Sequence, residues 1–273
     1  MTDGEGKSSG DDAIIRVRNL VKNFGETEVL RGVTFDVRRG ETLCILGGSG
    51  GGKSTLLKCM IGVEPATDGN VVIDGDDIVG MKERDLDTVR RKFGVMFQGG
   101  ALLNSMTIAE NVALPIGHHT RLDGETIDTM VKMKLHQVDL LHAAERRPSA
   151  ISGGMQKRAA VARALALDPK ILFYDEPSAG LDPIATTRID QLINKLKTTM
   201  RMTSIVVTHV MESVQRIADH IVMLDKGQVI LDGTLDDLME SDDPRIKQFR
   251  TGDLAGPGGG VTSTEAYHRD LLM

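Results

Sequence analysis

A glycine-rich loop near the N-terminus places the strongest constraint on the fold of this chain. The stretch GGSGGGKS, residues 47–54, fits the pattern G-x-x-x-x-G-K-[ST]. An apolar run typical of a buried strand precedes it at residues 43–46, and a helical segment is predicted after it at residues 55–61. Successive backbone N–H groups, a helix N-terminus and a lysine at this spacing are suited to binding phosphate oxygens.

The composition excludes several classes of protein. A length of 273 residues predicts one large domain or two small ones. The net charge of −6 argues against wholesale binding to nucleic acid or to an anionic membrane surface. The two cysteines are too few for a disulfide scaffold and fit a reducing cytosol. No apolar run approaches the ~18 to 20 residues of a membrane span, and the polar N-terminus does not resemble a signal peptide.

The pattern along the chain predicts a parallel-sheet core that is interrupted by helices. Residues 1–12 are predicted to be a disordered tail, residues 13–240 one α/β domain with a helical subdomain at about 99–157, and residues 241–273 an extension with a Gly-rich linker. A short helix is predicted at residues 264–272. Short strands are expected at residues 14–17, 29–30, 33–37, 42–46, 71–73, 171–174 and 205–207.

A second element adds two acidic residues. Four apolar residues, 171–174, precede Asp175 and Glu176, which predicts a buried strand with both carboxylates at its carboxyl end, where α/β sheets bind ligands. Asp175 is suited to a water-mediated hold on Mg²⁺, and Glu176 to polarising an attacking water. The alternative is that both acids are solvated at the start of a helix.

A third feature resembles the signature motif L-S-G-G-Q of ABC-type ATPases. It is the sequence ISGGM at residues 151–155, followed by an Ala-rich helix and then by the predicted strand 171–174. Ile151 and Met155 replace the usual Leu and Gln, and Gly48 stands where Pro is common. The resemblance covers about residues 14–240.

The resemblance implies an α/β fold of the P-loop NTPase class. It comprises a RecA-like parallel-sheet core, an antiparallel β subdomain and a helical subdomain insertion. It implies ATP and Mg²⁺ as cofactors and Glu176, His209 and Lys53 as catalytic residues. It implies Ser54, Gln98 and Asp175 as metal ligands. The implied nucleotide-binding residues are Phe24, Gly47, Gly48, Ser49, Gly50, Gly51, Gly52, Lys53, Ser54, Thr55, Gln98, Ser152, Gly153, Gly154 and Asp182.

One branch of this family is especially similar. The stretch FQGGALLNSMTIAENVALPIGHHT, residues 97–120, resembles the ATPases of Mce-type lipid transporters, which include the Mla system. This implies transport of phospholipid or a related lipid, at the cytoplasmic face of the inner membrane. The implied partners are a second copy of the chain packed head to tail, integral membrane permease subunits and a periplasmic Mce-type subunit. A small STAS-domain protein is a further possible partner in this branch, and no nucleic acid is expected.

Alternatives remain at this point. A non-transport ABC ATPase of the Fe–S assembly type fits the length, and so does the ATPase of an amino-acid or ion importer. The segment 98–120 is expected to contact the permease because it carries Ala101, Leu102, Leu103 and Met106 with few charges. The alternative for these four side chains is packing inside the helical subdomain.

Overall fold

The computed structural model of the chain describes residues 12–251. Its centre is a six-stranded sheet in the spatial order β10-β9-β3-β8-β7-β6. Strands β6, β7, β8, β3 and β9 run parallel, and β10 is antiparallel at the edge. The strands are β3 (Thr42–Gly47), β6 (Phe93–Met96), β7 (Ile171–Asp175), β8 (Thr203–Val207), β9 (His220–Asp225) and β10 (Gln228–Gly233).

The sheet is buried on both faces, which explains why its strands read as continuous apolar runs. Within β3, Cys44 and Leu46 belong to one core cluster, and Leu43 and Ile45 to another. Side chains alternate between faces along a strand, so each face of the sheet has its own core. The helices of the described residues are α1 (Lys53–Met60), α2 (Glu83–Arg90), α3 (Ile108–His119), α4 (Gly124–Gln137), α5 (Gly153–Ala164), α6 (Pro183–Met200), α7 (Met211–Ile217), α8 (Leu235–Glu240) and α9 (Pro244–Thr251).

A second, antiparallel sheet packs beside the core in the order β2-β1-β4-β5. It contains β1 (Ala13–Phe24), β2 (Thr27–Arg38), β4 (Asp68–Ile73) and β5 (Asp76–Asp77). The sequence predicted separate short strands in this region, and that is wrong for β1 and β2. Register shifts, including one between Val17 and Leu20, let the pairing of β1 with β2 continue through irregular positions as two 12-residue strands.

The helical segment also differs from its prediction in one respect. In the sequence, the apolar positions of this segment recur at a spacing near 3.6 residues, which predicts that Leu141 shares the buried helix face of Val131 and Leu135. In the structure, α4 ends at Gln137 and Leu141 begins a 3-10 turn. Leu141 is exposed, whereas Val131 and Leu135 are buried as expected. Lys134 is also buried on this face, and its ammonium group pairs with Asp168.

The parallel strands bring four separate parts of the sequence to one edge. Because β3, β6, β7 and β8 run in the same direction, their carboxyl ends lie side by side. The residues that follow these ends include the phosphate loop (residues 47–54), Gln98, Glu176 and His209. Within residues 12–251, no helix has both the length and the apolarity needed to cross a membrane. The helix predicted at 264–272 lies outside the described residues.

We expect Gly94→Ala to destabilise the protein, because a Cβ at Gly94 in β6 would lie 2.1 Å from the carbonyl oxygen of Ala164 in α5. The helix and strand must then separate, at a cost of about 3 kcal/mol. Gly117→Ala is the matched control, because Gly117 lies in helix α3 with open space around it and alanine favours a helix. Urea unfolding of both variants measures the difference, and equal midpoints would contradict the close packing of α5 on β6.

Candidate functional site

The phosphate loop adopts a backbone conformation that requires glycine. Gly47 has φ 145°, and a Cβ there would lie 2.2 Å from the carbonyl oxygen of Leu224 in the neighbouring strand β9. Gly50 and Gly52 have φ values of 74° and 101°, which L side chains rarely adopt. These positions allow the chain to turn sharply from β3 into α1.

The start of α1 is suited to an anion. Helix α1 begins at Lys53, and its N-cap, Gly52, supplies no side-chain acceptor for the first backbone N–H groups. Unpaired N–H groups and the positive end of the helix dipole both favour a negative charge. They border an open cleft of about 220 Å³, the phosphate cleft, lined by Val29, Gly50, Gly51, Gly52, Lys53, Ser54 and Thr55.

Lys53 is held close to this cleft by the loop itself. Its Nζ donates hydrogen bonds to the carbonyl oxygens of Gly47 at 2.8 Å and Gly48 at 2.9 Å. Burial lowers the pKa of Lys53, and the nearby carboxylates of Glu176 and Asp175 oppose that shift. The lysine is therefore a partly desolvated cation that faces two acids. Ser49 lies in the exposed part of the loop and does not line the cleft.

The two acids at the end of β7 each have one buried oxygen. Asp175 Oδ1 accepts no hydrogen bond from the described residues, and Glu176 Oε2 lies 2.9 Å from His209 Nδ1. The pKa of Asp175 is raised, mainly by burial and then by the negative charge of Glu176. The positive charges of Lys58, Lys157 and Lys53 oppose this shift. An unpaired buried carboxylate oxygen is unfavourable unless a cation or a donor reaches it. The site therefore fits a divalent cation.

Glu176 occupies a strained backbone position that directs it toward His209. Its φ is 48°, a left-handed conformation that is uncommon for a residue with a side chain. Its N–H still donates to Val207 O in β8 at 2.9 Å, so the strand pairing continues to this residue. His209 Nδ1 lies 2.9 Å from the Glu176 carboxylate. The structure therefore brings these two predicted residues into direct contact.

Two other predicted residues flank the edge of the sheet. Gln98 follows β6 and is exposed, and its main-chain oxygen accepts a hydrogen bond from Lys157 Nζ. Phe24, at the end of β1, is 48% exposed, and Lys22 Nζ lies 4.5 Å from the centre of its ring. An exposed aromatic face of this kind is available for stacking on a planar ligand.

The structure does not bring the remaining predicted residues to the phosphate cleft. Ser152 is the N-cap of α5, and its hydroxyl accepts from Met155 N at 3.3 Å. Asp182 is the N-cap of α6, and its carboxylate accepts from two backbone N–H groups at 2.9 Å. Together with Gly153 and Gly154 they line a second cleft of about 740 Å³, the signature groove, which shares no lining residue with the phosphate cleft.

Sequence reasoning assigned no role to Lys157 and Arg163 on α5. Lys157 donates to the main-chain oxygen of Gln98, and Arg163 donates to those of Gly100 and Ala101. A main-chain acceptor cannot be identified from the sequence. The sequence showed only three cations, Lys157, Arg158 and Arg163, in an Ala-rich helix.

Comparisons with known proteins agree with this geometry. The family model described as ABC transporter matches residues 30–179. The intermembrane phospholipid transport system ATP-binding protein MlaF of Haemophilus influenzae is 41% identical over 259 residues, which is 95% of this chain and 98% of that protein. The probable ribonucleotide transport ATP-binding protein mkl of Mycobacterium leprae is 40% identical over 90% of this chain and 71% of that protein.

A solved structure is also similar. It is the dimer of an ATP-binding cassette in a post-hydrolysis state, bound to ADP and Pi. The TM-score is 0.74 at 33% identity, and the match covers 81% of this chain and 98% of that chain. The parallel sheet and the antiparallel sheet described above are thus those of an ATP-binding cassette.

Proposed function

The chain belongs to the ABC transporter family of ATP-binding proteins, and we propose that it is the ATPase subunit that powers phospholipid transport through a partner permease. The observation that carries the ATPase function is the shared edge of the sheet, where Lys53 lies near the partly buried carboxylates of Asp175 and Glu176. The lipid cargo is supported by the 41% identity with a phospholipid transport ATPase over 95% of the chain.

We assign the nucleotide to the phosphate cleft. Backbone N–H groups of residues 47–52 and the start of α1 would surround the phosphates, and Lys53 would neutralise their charge. Thr55 lines the same cleft. Phe24 would stack on the adenine through its exposed ring.

We assign Mg²⁺ to Ser54, Gln98 and Asp175. The Ser54 hydroxyl lines the phosphate cleft, and Asp175 offers a buried oxygen that lacks a donor. When bound, the ion would offset negative charge on the phosphate oxygens. The same cation would relieve the repulsion between Asp175 and Glu176 that raises the pKa of Asp175.

Glu176 is our candidate for the group that accepts a proton from the attacking water. Both of its carboxylate oxygens lie 2.9 Å from His209 Nδ1, and this contact orients the carboxylate at the edge of the sheet. His209 is exposed and lies beside the acid, so we expect it to contact the terminal phosphate as well.

Replacing Glu176 with Gln should separate binding from hydrolysis. The amide fills the same space but cannot take up a proton, so we expect ATP binding to persist and turnover to fall more than tenfold, a barrier increase of about 1.4 kcal/mol or more. Titration with a fluorescent nucleotide and a phosphate-release assay measure the two quantities.

Lys53→Ala is the control for this experiment, because it removes the cation that faces the phosphates. It should lose nucleotide binding or hydrolysis in a folded protein. A Glu176→Gln protein that retains more than about a tenth of the wild-type rate would show that Glu176 is not the principal base.

We further propose that two copies of the chain complete each other's sites. The signature groove is a second cleft at a helix N-terminus, yet it contains no lysine of the phosphate loop. A head-to-tail pair with two-fold symmetry would place the Ser152 side of one subunit over the phosphate cleft of the other. The dimeric arrangement of the similar cassette supports this proposal.

Ser152→Arg and Lys53→Ala test this arrangement when they are combined in mixed dimers. With both changes in one subunit, each of the two sites loses one component, and we expect little ATPase activity. With the changes in opposite subunits, one site keeps an intact phosphate cleft and an intact signature groove. That dimer should retain about half of the wild-type activity if its two sites act independently. The reverse pattern in a phosphate-release assay would show that Ser152 acts on its own subunit's site.

The segment 98–120 is our candidate for the permease contact. Phe97, Leu103 and Leu114 are exposed in or next to this segment, at 39%, 42% and 43%. Of the four apolar residues that suggested a partner surface, Leu102 is only partly exposed and packs against the core, whereas Leu103 points outward. Leu102 therefore fits packing inside the helical subdomain, and Leu103 is the candidate for a contact with the permease.

Leu103→Glu should leave the isolated protein folded with basal ATPase activity, and should reduce permease-stimulated turnover at least fivefold. The charge would be solvated in the free protein and buried in the complex. Leu102→Glu is the matched comparison and should lower stability by about 2 kcal/mol, because Leu102 packs on the core. Thermal unfolding and ATPase assays with and without the permease give both readouts. A Leu103→Glu protein with normal stimulation would exclude this residue from the contact.

Purification of the chain from detergent-solubilised membranes tests the transport function as a whole. The proposal expects co-purification with permease subunits and a periplasmic Mce-type subunit, with the ATPase at the cytoplasmic face of the inner membrane. A small STAS-domain protein is a further candidate in the same complex. ATP-dependent movement of labelled phospholipid by the reconstituted complex would support the cargo. Movement of ribonucleotide instead, which the name of the mkl relative suggests, would replace it.

A further inference from the structure

Helix α5 reaches across to the loop after β6 through two cations. Arg163 Nη1 donates to Ala101 O at 2.5 Å, and Nη2 donates to Gly100 O at 2.9 Å. Lys157 Nζ donates to the main-chain oxygen of Gln98. Three carbonyl oxygens within four consecutive residues are thus held by one helix.

The two cations are desolvated where they make these bonds. Lys157 is only 8% exposed. Burial lowers the pKa of Lys157 and also that of Arg163. A desolvated charge that loses its acceptors is strongly unfavourable, so these contacts cannot be given up without a compensating change. The loop and the helix are therefore constrained to keep their relative position.

The loop conformation depends on the same contacts. Gly100 and Ala101 have φ values of 72° and 49°, two successive left-handed residues of which one carries a side chain. Such a conformation persists only where the surroundings fix it. The two carbonyl groups at these positions are the ones that Arg163 binds.

Helix α5 also carries the signature residues. It begins directly after Ser152 and runs for 12 residues to Ala164, which is a rigid rod of about 18 Å. Ser152, Gly153 and Gly154 line the signature groove at one end, and Arg163 lies at the other. If α5 shifts at its N-terminus, the main chain of residues 98–101 must shift with it, because Lys157 and Arg163 connect the two.

We propose that Lys157 and Arg163 are positioning residues that lock the loop 98–101 to α5, so that nucleotide at the signature groove is sensed at the permease surface beside Leu103. This proposal rests on the head-to-tail pairing and the permease contact proposed above. The two residues touch neither nucleotide nor metal. They transmit the state of the neighbouring subunit's nucleotide to Gln98 and the segment that follows it.

The variants that test this are Arg163→Gln, Arg163→Lys and Arg90→Gln. Arg90 is the matched control, because it ends helix α2, donates to the main-chain oxygen of Gly62 at 2.8 Å and lines neither the phosphate cleft nor the signature groove. The assay is ATPase activity of the complex with its own permease, divided by that of the isolated protein. We expect this ratio to fall at least fivefold for Arg163→Gln, to recover partly for Arg163→Lys and to change less than twofold for Arg90→Gln.

Hydrogen exchange of the isolated protein provides a second readout that needs no permease. In the Glu176→Gln background, ATP should slow exchange in residues 99–103, and this response should disappear with Arg163→Gln but persist with Arg90→Gln. Lys157→Met is a second variant of the same contact and should lose the response too, if Arg163→Gln is poorly folded.

The two proposals can fail separately. If wild-type ATPase activity is not stimulated by the permease, the transport function is wrong, and the hydrogen-exchange response still decides the role of α5. If Arg163→Gln and Lys157→Met are folded and keep both the stimulation and the ATP-dependent protection, the positioning role is overturned.

Discussion

The site depends on the parallel pairing of β3, β8, β7 and β6, because its principal groups come from four separate stretches of the sequence. Lys53 and Glu176 follow strands β3 and β7, and β8, whose end leads to His209, lies between those two strands. A slip of one residue in any of these pairings would turn the buried side chains to the wrong face. The apolar cores on both faces of the sheet resist such a slip, so the energy of burial fixes the geometry of the polar edge.

The polar edge itself is not optimised for stability. Asp175 has a buried oxygen without a donor, Glu176 has a left-handed backbone, and Lys53 is partly desolvated. Each of these features is unfavourable in the isolated chain and is relieved by a ligand that supplies a cation and phosphate oxygens. Nucleotide binding therefore stabilises the folded protein, because it relieves features of the site that are unfavourable without a ligand.

The sequence predicted the groups whose chemistry depends on local spacing. The glycine-rich loop, the acidic pair after an apolar strand and the helix start at Ser152 are each contained within a short stretch, and the structure places them in the predicted elements. Sequence reasoning failed where long-range pairing decides the outcome. The bulges that extend β1 and β2, the early end of α4 before Leu141, and the bonds from Arg163 to main-chain oxygens depend on residues far apart in the chain.

The phosphate cleft and the signature groove both lie at a helix start, but they differ in how strongly they can bind an anion. The phosphate cleft has a lysine and acids beside it, whereas the signature groove presents α5, whose N-cap hydroxyl already serves its own helix. A helix start alone binds an anion only weakly in water, so the groove gains affinity when the anion is already held by a second surface and water is excluded between them. Closure of two subunits over shared nucleotide would supply that condition, and removal of the terminal phosphate would end it. Because α5 carries the partly buried cations that bind the main chain of residues 98–101, the energy of closure would act on a segment next to the exposed Leu103 and not on the core.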